Sequence, residues 1–118
     1  MAAWYQKRHH LTLQPEWMTC TPGIVFALSI AVRAFTQEGD AVLIQPPVYH
    51  PFSRAILRNK RTLVENPLVL KDGHYEMDLE DLEQKVLDEH VKLMILCNPH
   101  NPVGRVWTRE ELTALADI

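Results

Sequence analysis

Four consecutive apolar residues, Leu93, Met94, Ile95 and Leu96, sit inside the stretch Val91–Cys97 and leave no polar position to face water. A strand patterned this way is buried on both faces, as in a parallel sheet covered by helices. A second apolar run of strand length, Ala41–Ile44, is stopped by Gln45-Pro46-Pro47. Trp17–Thr21 and Arg61–Val64 are shorter strand candidates, and Asn66–Leu70 reads as extended. Between these lie helical patterns. Ile24–Phe35 carries Val25, Leu28, Ala31, Val32 and Phe35 at helical spacing, and Gly39 closes it. Tyr49–Leu57 tolerates Pro51 in its first turn. Asp78 is the expected cap of Leu79–Leu87, with Leu79, Leu82, Val86 and Leu87 on one face. Thr108 and Glu111 have capping-box spacing and open a last helix. Ala2–His10 reads as the tail of an amphipathic helix, Leu11–Pro15 as a connector and Asp72-Gly73 as a turn. Strands alternating with helices specify the α/β class: a mostly parallel sheet with helices on both faces.

At 118 residues the chain is one domain at most. A formal charge of -3 provides no basic footprint for nucleic acid or an anionic membrane. Lys7, Arg8, His9 and His10 are too few for a binding arm and read as a solvated helix face. Cys20 and Cys97 form no C-x-x-C, so they read as buried, reduced thiols. No two of the six histidines have the i, i+4 spacing of a helical metal site. The N-terminus lacks a signal-peptide core, and Ile24–Phe35 is too short to span a bilayer. The expectation is a cytoplasmic protein with no membrane or nucleic-acid partner.

In open parallel α/β sheets, ligands gather at the carboxyl ends of the strands. Three loops there carry candidate site residues. In Thr21-Pro22-Gly23-Ile24-Val25, Gly23 admits close backbone approach, and the N–H groups of Ile24 and Val25 open a helix toward an anion. The same residues also suit a plain strand-to-helix turn. In Pro46-Pro47-Val48-Tyr49-His50-Pro51-Phe52, Tyr49 follows a rigid turn, where its ring is either a stacking surface for a flat cofactor or an ordinary rim tyrosine. His50 reads as solvent-facing. In Asn98-Pro99-His100-Asn101-Pro102-Val103-Gly104, two prolines restrict the backbone and present an asparagine rigidly. Such an amide can donate to a phenolate oxygen and favour its charged form.

This last stretch resembles the Asn-Pro-x-Asn-Pro-Thr/Val-Gly signature of class I/II aminotransferases, which are fold-type I pyridoxal-phosphate enzymes. The order of the three loops is similar too, and the resemblance covers nearly the whole chain. Thr21 to Leu28, Gln45 to Phe52 and Asn98 to Trp107, with His100, Val103 and Arg105-Val106-Trp107, resemble the cystathionine β-lyase branch. The resemblance implies pyridoxal 5'-phosphate as cofactor. Asn101 is expected on its ring oxygen, Tyr49 on its pyridine ring, and the Ile24 and Val25 N–H groups on its phosphate. Gly23, Asn98 and Gly104 are expected to shape the loops, and Arg105 receives no role. The implied reaction is β-elimination from cystathionine or another cysteine S-conjugate, giving a thiol, pyruvate and ammonia, in a homodimer.

The chain departs from that family in what it lacks. None of Lys7, Lys60, Lys71, Lys85 and Lys92 lies in the Ser-x-x-Lys setting of the Schiff-base lysine. Asp117 comes too soon after the signature to be the aspartate on the pyridinium nitrogen. Residues 1–118 are therefore expected to be part of the large, cofactor-binding domain, cut at both ends and inactive alone. An aminotransferase, or a regulatory or interaction protein of the same fold, is the alternative.

Overall fold

A computed structural model describes residues 1–118. In chain order the elements are helix α1 (Ala2–His9), a 3-10 turn (Pro15–Trp17), α2 (Ile24–Phe35), strand β1 (Ala41–Ile44), α3 (Pro51–Arg58), β2 (Thr62–Glu65), β3 (Val69–Lys71), β4 (His74–Glu76), α4 (Leu79–Asp88), β5 (Leu93–Met94) and α5 (Arg109–Ala116). β1 pairs in parallel with β2 (Val42 against Leu63) and with β5 (Val42 against Leu93), so the order is β2-β1-β5. The α/β class and parallel sheet anticipated from the alternation are observed.

β1 is the strand buried on both faces, because it alone has a neighbour on each side. Its side chains alternate across the sheet. Val42 and Ile44 pack with Val32 of α2, Phe52 and Ile56 of α3, and Ile95. Ala41 and Leu43 pack with Val64, Leu82 of α4 and, at the margin, Leu115 of α5. Helices therefore cover both faces. The apolar run Val91–Cys97 behaves differently from its reading. Only Leu93 and Met94 pair, both half-buried, because β5 is an edge strand of this sheet.

Local signals account for most boundaries. The Asp78 carboxylate accepts from the Asp81 amide at 3.1 Å and opens α4. Thr108 and Glu111 form the anticipated capping box at α5. Asp72 and Gly73, at φ 48° and 79°, join β3 to β4 in an antiparallel hairpin. Four readings need correction. Trp17–Thr21 is no strand: Pro15 starts a 3-10 turn, and no strand pairs with the residues after it. Cys20 is exposed rather than buried, since it lies in that unpaired segment, and Cys97, at the end of the edge strand's run, is only half-buried. Leu87 turns to solvent, and Leu82 carries the buried face of α4. Val25 and Phe35 of α2 are also exposed.

The accessible surface is 8310 Å². A compact chain of 13.6 kDa exposes about 6,600 Å². The radius of gyration, 15.5 Å, likewise exceeds the roughly 13.5 Å of a compact domain of this length. Large apolar residues are part of that surface: Trp4, Trp17, Ile24, Phe26 and Phe35 are exposed, and α1 buries no residue. No helix is long and apolar enough to cross a membrane.

Candidate cofactor site

The chain leaves β1 toward β2 on one side and later returns to β5 on the other. This is a topological switch point, where the carboxyl ends of two neighbouring strands part and leave a crevice. The loops leaving β1 and β5 carry Tyr49 and Asn101.

These two loops are joined. Val48 pairs with Pro102 in an antiparallel bridge. The His100 ring reaches the Pro47 carbonyl oxygen through Nε2 at 3.2 Å. Tyr49 and Asn101 therefore sit beside the same pair of ties. Tyr49 is 37% exposed, and its ring meets Phe52 edge to face, with centroids 6.0 Å apart. His50 is exposed, as expected of a solvent-facing residue. Asn101 is exposed, and its backbone N–H donates to the Cys97 sulfur at 3.4 Å.

The Asn98–Gly104 loop is closed by its own groups. The Asn98 Oδ1 accepts from the Trp107 amide at 3.2 Å, and the Trp107 indole N–H donates to the Cys97 carbonyl at 3.0 Å. The Gly104 amide donates to the His100 carbonyl at 2.7 Å. Gly104 has φ 78°, a conformation that favours glycine at this turn. The peptide bonds before Pro47, Pro99 and Pro102 are cis.

Arg105 fastens this loop to its surroundings. Its guanidinium donates to the Tyr75 carbonyl in β4, pairs with the Glu111 carboxylate in α5 and lies 4.7 Å from the Trp107 ring centre. Burial alone would raise the Glu111 carboxyl. Hydrogen bonds from the Thr108 backbone and from Arg105 outweigh it and hold the group below its ordinary range. A second set of contacts supports the loop after β1. The buried Gln45 amide donates to the Asn66 oxygen at 2.9 Å, and Asn66 donates to Asp81 at 2.8 Å. Hydrogen bonds from Lys85 and Asn66 lower the Asp81 carboxyl below its usual range.

The third loop leads into α2. Gly23 has φ 124°, and no side chain caps the helix. The first N–H groups of an α-helix have no acceptor within it, so those of Ile24 and Val25 are open to an anion. Val25, Ser29, Pro51, Arg54, Ala55 and Arg58 line a cavity of about 190 Å³ between α2 and α3. That cavity joins the start of α2 to Pro51, two residues past Tyr49. No group of three or more His, Cys, Asp or Glu residues is placed to hold a metal.

The loops leaving β1 and β5 thus meet at the strand ends of an open parallel sheet, where proteins of the α/β class place their ligands. The chain belongs to the aminotransferase class I and II family, whose model matches residues 1–118. It is 52% identical to cystathionine beta-lyase PatB of Bacillus subtilis over 100% of its own length and 30% of that protein. Protein MalY of Escherichia coli is 30% identical over the same shares. The crystal structure of cystalysin from Treponema denticola, which contains a pyridoxal 5'-phosphate cofactor, superimposes with a TM-score of 0.93 at 43% identity. That match covers 98% of this chain and 29% of cystalysin. The chain thus spans about 30% of the length of the curated relatives it matches.

Proposed function

We propose that the chain is the cofactor-holding segment of a pyridoxal-phosphate-dependent carbon–sulfur β-lyase acting on cystathionine or a related cysteine S-conjugate. The observation that carries this reading is the joining of the β1 and β5 loops, by the Val48–Pro102 bridge and the His100–Pro47 contact, at the switch point of the sheet. The donor set suits the group. The uncapped start of α2 suits a phosphate, the Tyr49 ring suits a flat heteroaromatic ring, and the Asn101 amide suits a phenolate oxygen.

In this reading the Ile24 and Val25 N–H groups hold the phosphate, with Gly23 allowing its approach. Tyr49 orients the ring, and Asn101 donates to the ring oxygen and keeps it charged. Asn98 and Gly104 hold the loop that aims Asn101. When bound, pyridoxal phosphate supplies an electron sink for negative charge at the substrate's α-carbon. This chain contributes binding and orientation and no proton transfer. Lys60, Lys71 and Lys85 are paired with Glu38, Glu76 and Asp81 on the surface. The exposed large apolar residues support packing against further polypeptide, including a second protomer. Two free thiols suit a reducing cytoplasm.

A hybrid in which this chain replaces the matching segment of PatB tests the proposal. The hybrid is expected to bind pyridoxal phosphate and release pyruvate from cystathionine, while the 118-residue chain alone does neither. A hybrid that folds without taking up cofactor refutes the reading. Pyruvate release by the lone chain refutes its inactivity. Keto-acid exchange with 2-oxoglutarate in place of pyruvate release selects the second reading, an aminotransferase, an activity carried by another relative, the aspartate aminotransferase of Sulfolobus acidocaldarius at 28% identity.

A further inference from the structure

His100 is 1% exposed and lies inside the loop that presents Asn101. Its Nε2 faces the Pro47 carbonyl, 53 residues away in sequence. A carbonyl oxygen only accepts, so Nε2 carries the hydrogen. Its Nδ1 is buried and has no partner, a place that disfavours a second, charge-bearing hydrogen and leaves Nδ1 its lone pair. The ring also meets Trp107 edge to face, with centroids 5.5 Å apart, and Arg105 lies over Trp107. His100 is thus seated in a packed stack and aimed across the crevice at the neighbouring loop.

The placement is specific. Pro47 precedes Tyr49 by two residues, and His100 directly precedes Asn101. The second tie between the loops, Val48 to Pro102, flanks the same two residues. One tie is backbone pairing. The other depends on a single side chain, and a substitution can remove it.

We propose that His100 is a positioning residue which, through its Nε2–H bond to the Pro47 carbonyl, sets the separation of Tyr49 and Asn101 across the cofactor ring. This role rests on the cofactor reading above. His100 itself touches neither cofactor nor substrate. Burial, the largest influence on the imidazole, lowers its proton affinity, against the nearby Pro47, Gln45 and Cys97 backbone groups, which raise it.

The test compares the PatB hybrid with its His100→Phe and His100→Gln variants, using pyridoxal phosphate as the probe. His100→Phe keeps a ring against Trp107 and removes the donor, whereas His100→Gln keeps an N–H donor. In the folded protein, His100→Phe is expected to bind the cofactor about fivefold more weakly, the equivalent of roughly one hydrogen bond. The pH midpoint of the bound cofactor's visible absorbance is expected to rise, because a displaced Asn101 favours the charged ring oxygen less. His100→Gln is expected to recover most of both. A purely structural role would lower the melting temperature of the cofactor-free form and leave affinity and the absorbance midpoint unchanged. Affinity of His100→Phe within twofold of the parent, with an unmoved midpoint, overturns the proposal alone. A parent hybrid that takes up no pyridoxal phosphate overturns the cofactor reading, and the positioning role with it.

Discussion

Replacing Arg105 by methionine should loosen the Asn101 loop at its outer end. Methionine keeps much of the side chain's length and loses three interactions: the hydrogen bond to the Tyr75 carbonyl, the ion pair with Glu111 and the contact over Trp107. The hydrogen bond contributes about 1 kcal/mol. The ion pair, with side chains 22% and 29% exposed, adds about 1 kcal/mol after solvent screening. The cation–π contact adds about 0.5 kcal/mol. Together they predict a loss of about 2–3 kcal/mol. Glu111 keeps its bond from the Thr108 amide in the variant, so no carboxylate is orphaned. The assay is urea unfolding of the cofactor-free PatB hybrid at fixed protein concentration, for the parent, Arg105→Met, Glu111→Gln and the double variant. The cycle isolates the ion pair, and its coupling energy should be about 1 kcal/mol. A loss below about 0.5 kcal/mol in Arg105→Met, or no coupling, would refute the view that Arg105 anchors the loop.

Two smaller effects follow from the same contacts. Thr108→Ala removes the cap that accepts from the Glu111 amide at 3.2 Å, and should cost about 1 kcal/mol in the same unfolding assay. Acid should weaken the fold through His100. Its folded proton affinity is lowered by burial, while the unfolded chain takes up a proton near pH 6.5. The unfolded state therefore binds more protons below that pH, and stability falls as pH drops through the ordinary imidazole range. Glu111 and Asp81, both held below the ordinary carboxylate range, stay ionised there and add nothing. Urea midpoints at pH 7.5 and pH 5.5 should differ more for the parent than for His100→Phe. Equal differences would contradict the assignment.

The parts of the fold legible in the sequence are those set by near neighbours. Ala41–Ile44, the Asp72-Gly73 hairpin, the Asp78 cap and the Thr108–Glu111 box depend on residues within a few positions of each other. What escaped depends on distant pairs. His100 with Pro47 and Arg105 with Tyr75 are 53 and 30 residues apart, and periodicity carries no signal for such contacts. Arg105, left without a role by its motif, proves to be the tie between the loop, the hairpin and α5. The run Val91–Cys97 misled for a related reason. Its apolar character announces burial, but which strand lies between two neighbours is a matter of topology, and β1 took that place. The Gln45–Asn66–Asp81–Lys85 chain was likewise invisible until α4 was packed under the sheet.

A crystal structure of the PatB hybrid grown with pyridoxal phosphate tests the central claim most directly. The phosphate should lie on the Ile24 and Val25 amides, the pyridine ring on Tyr49, and the Asn101 side-chain nitrogen about 3 Å from the ring oxygen. A cofactor bound away from any one of these three groups would contradict the account.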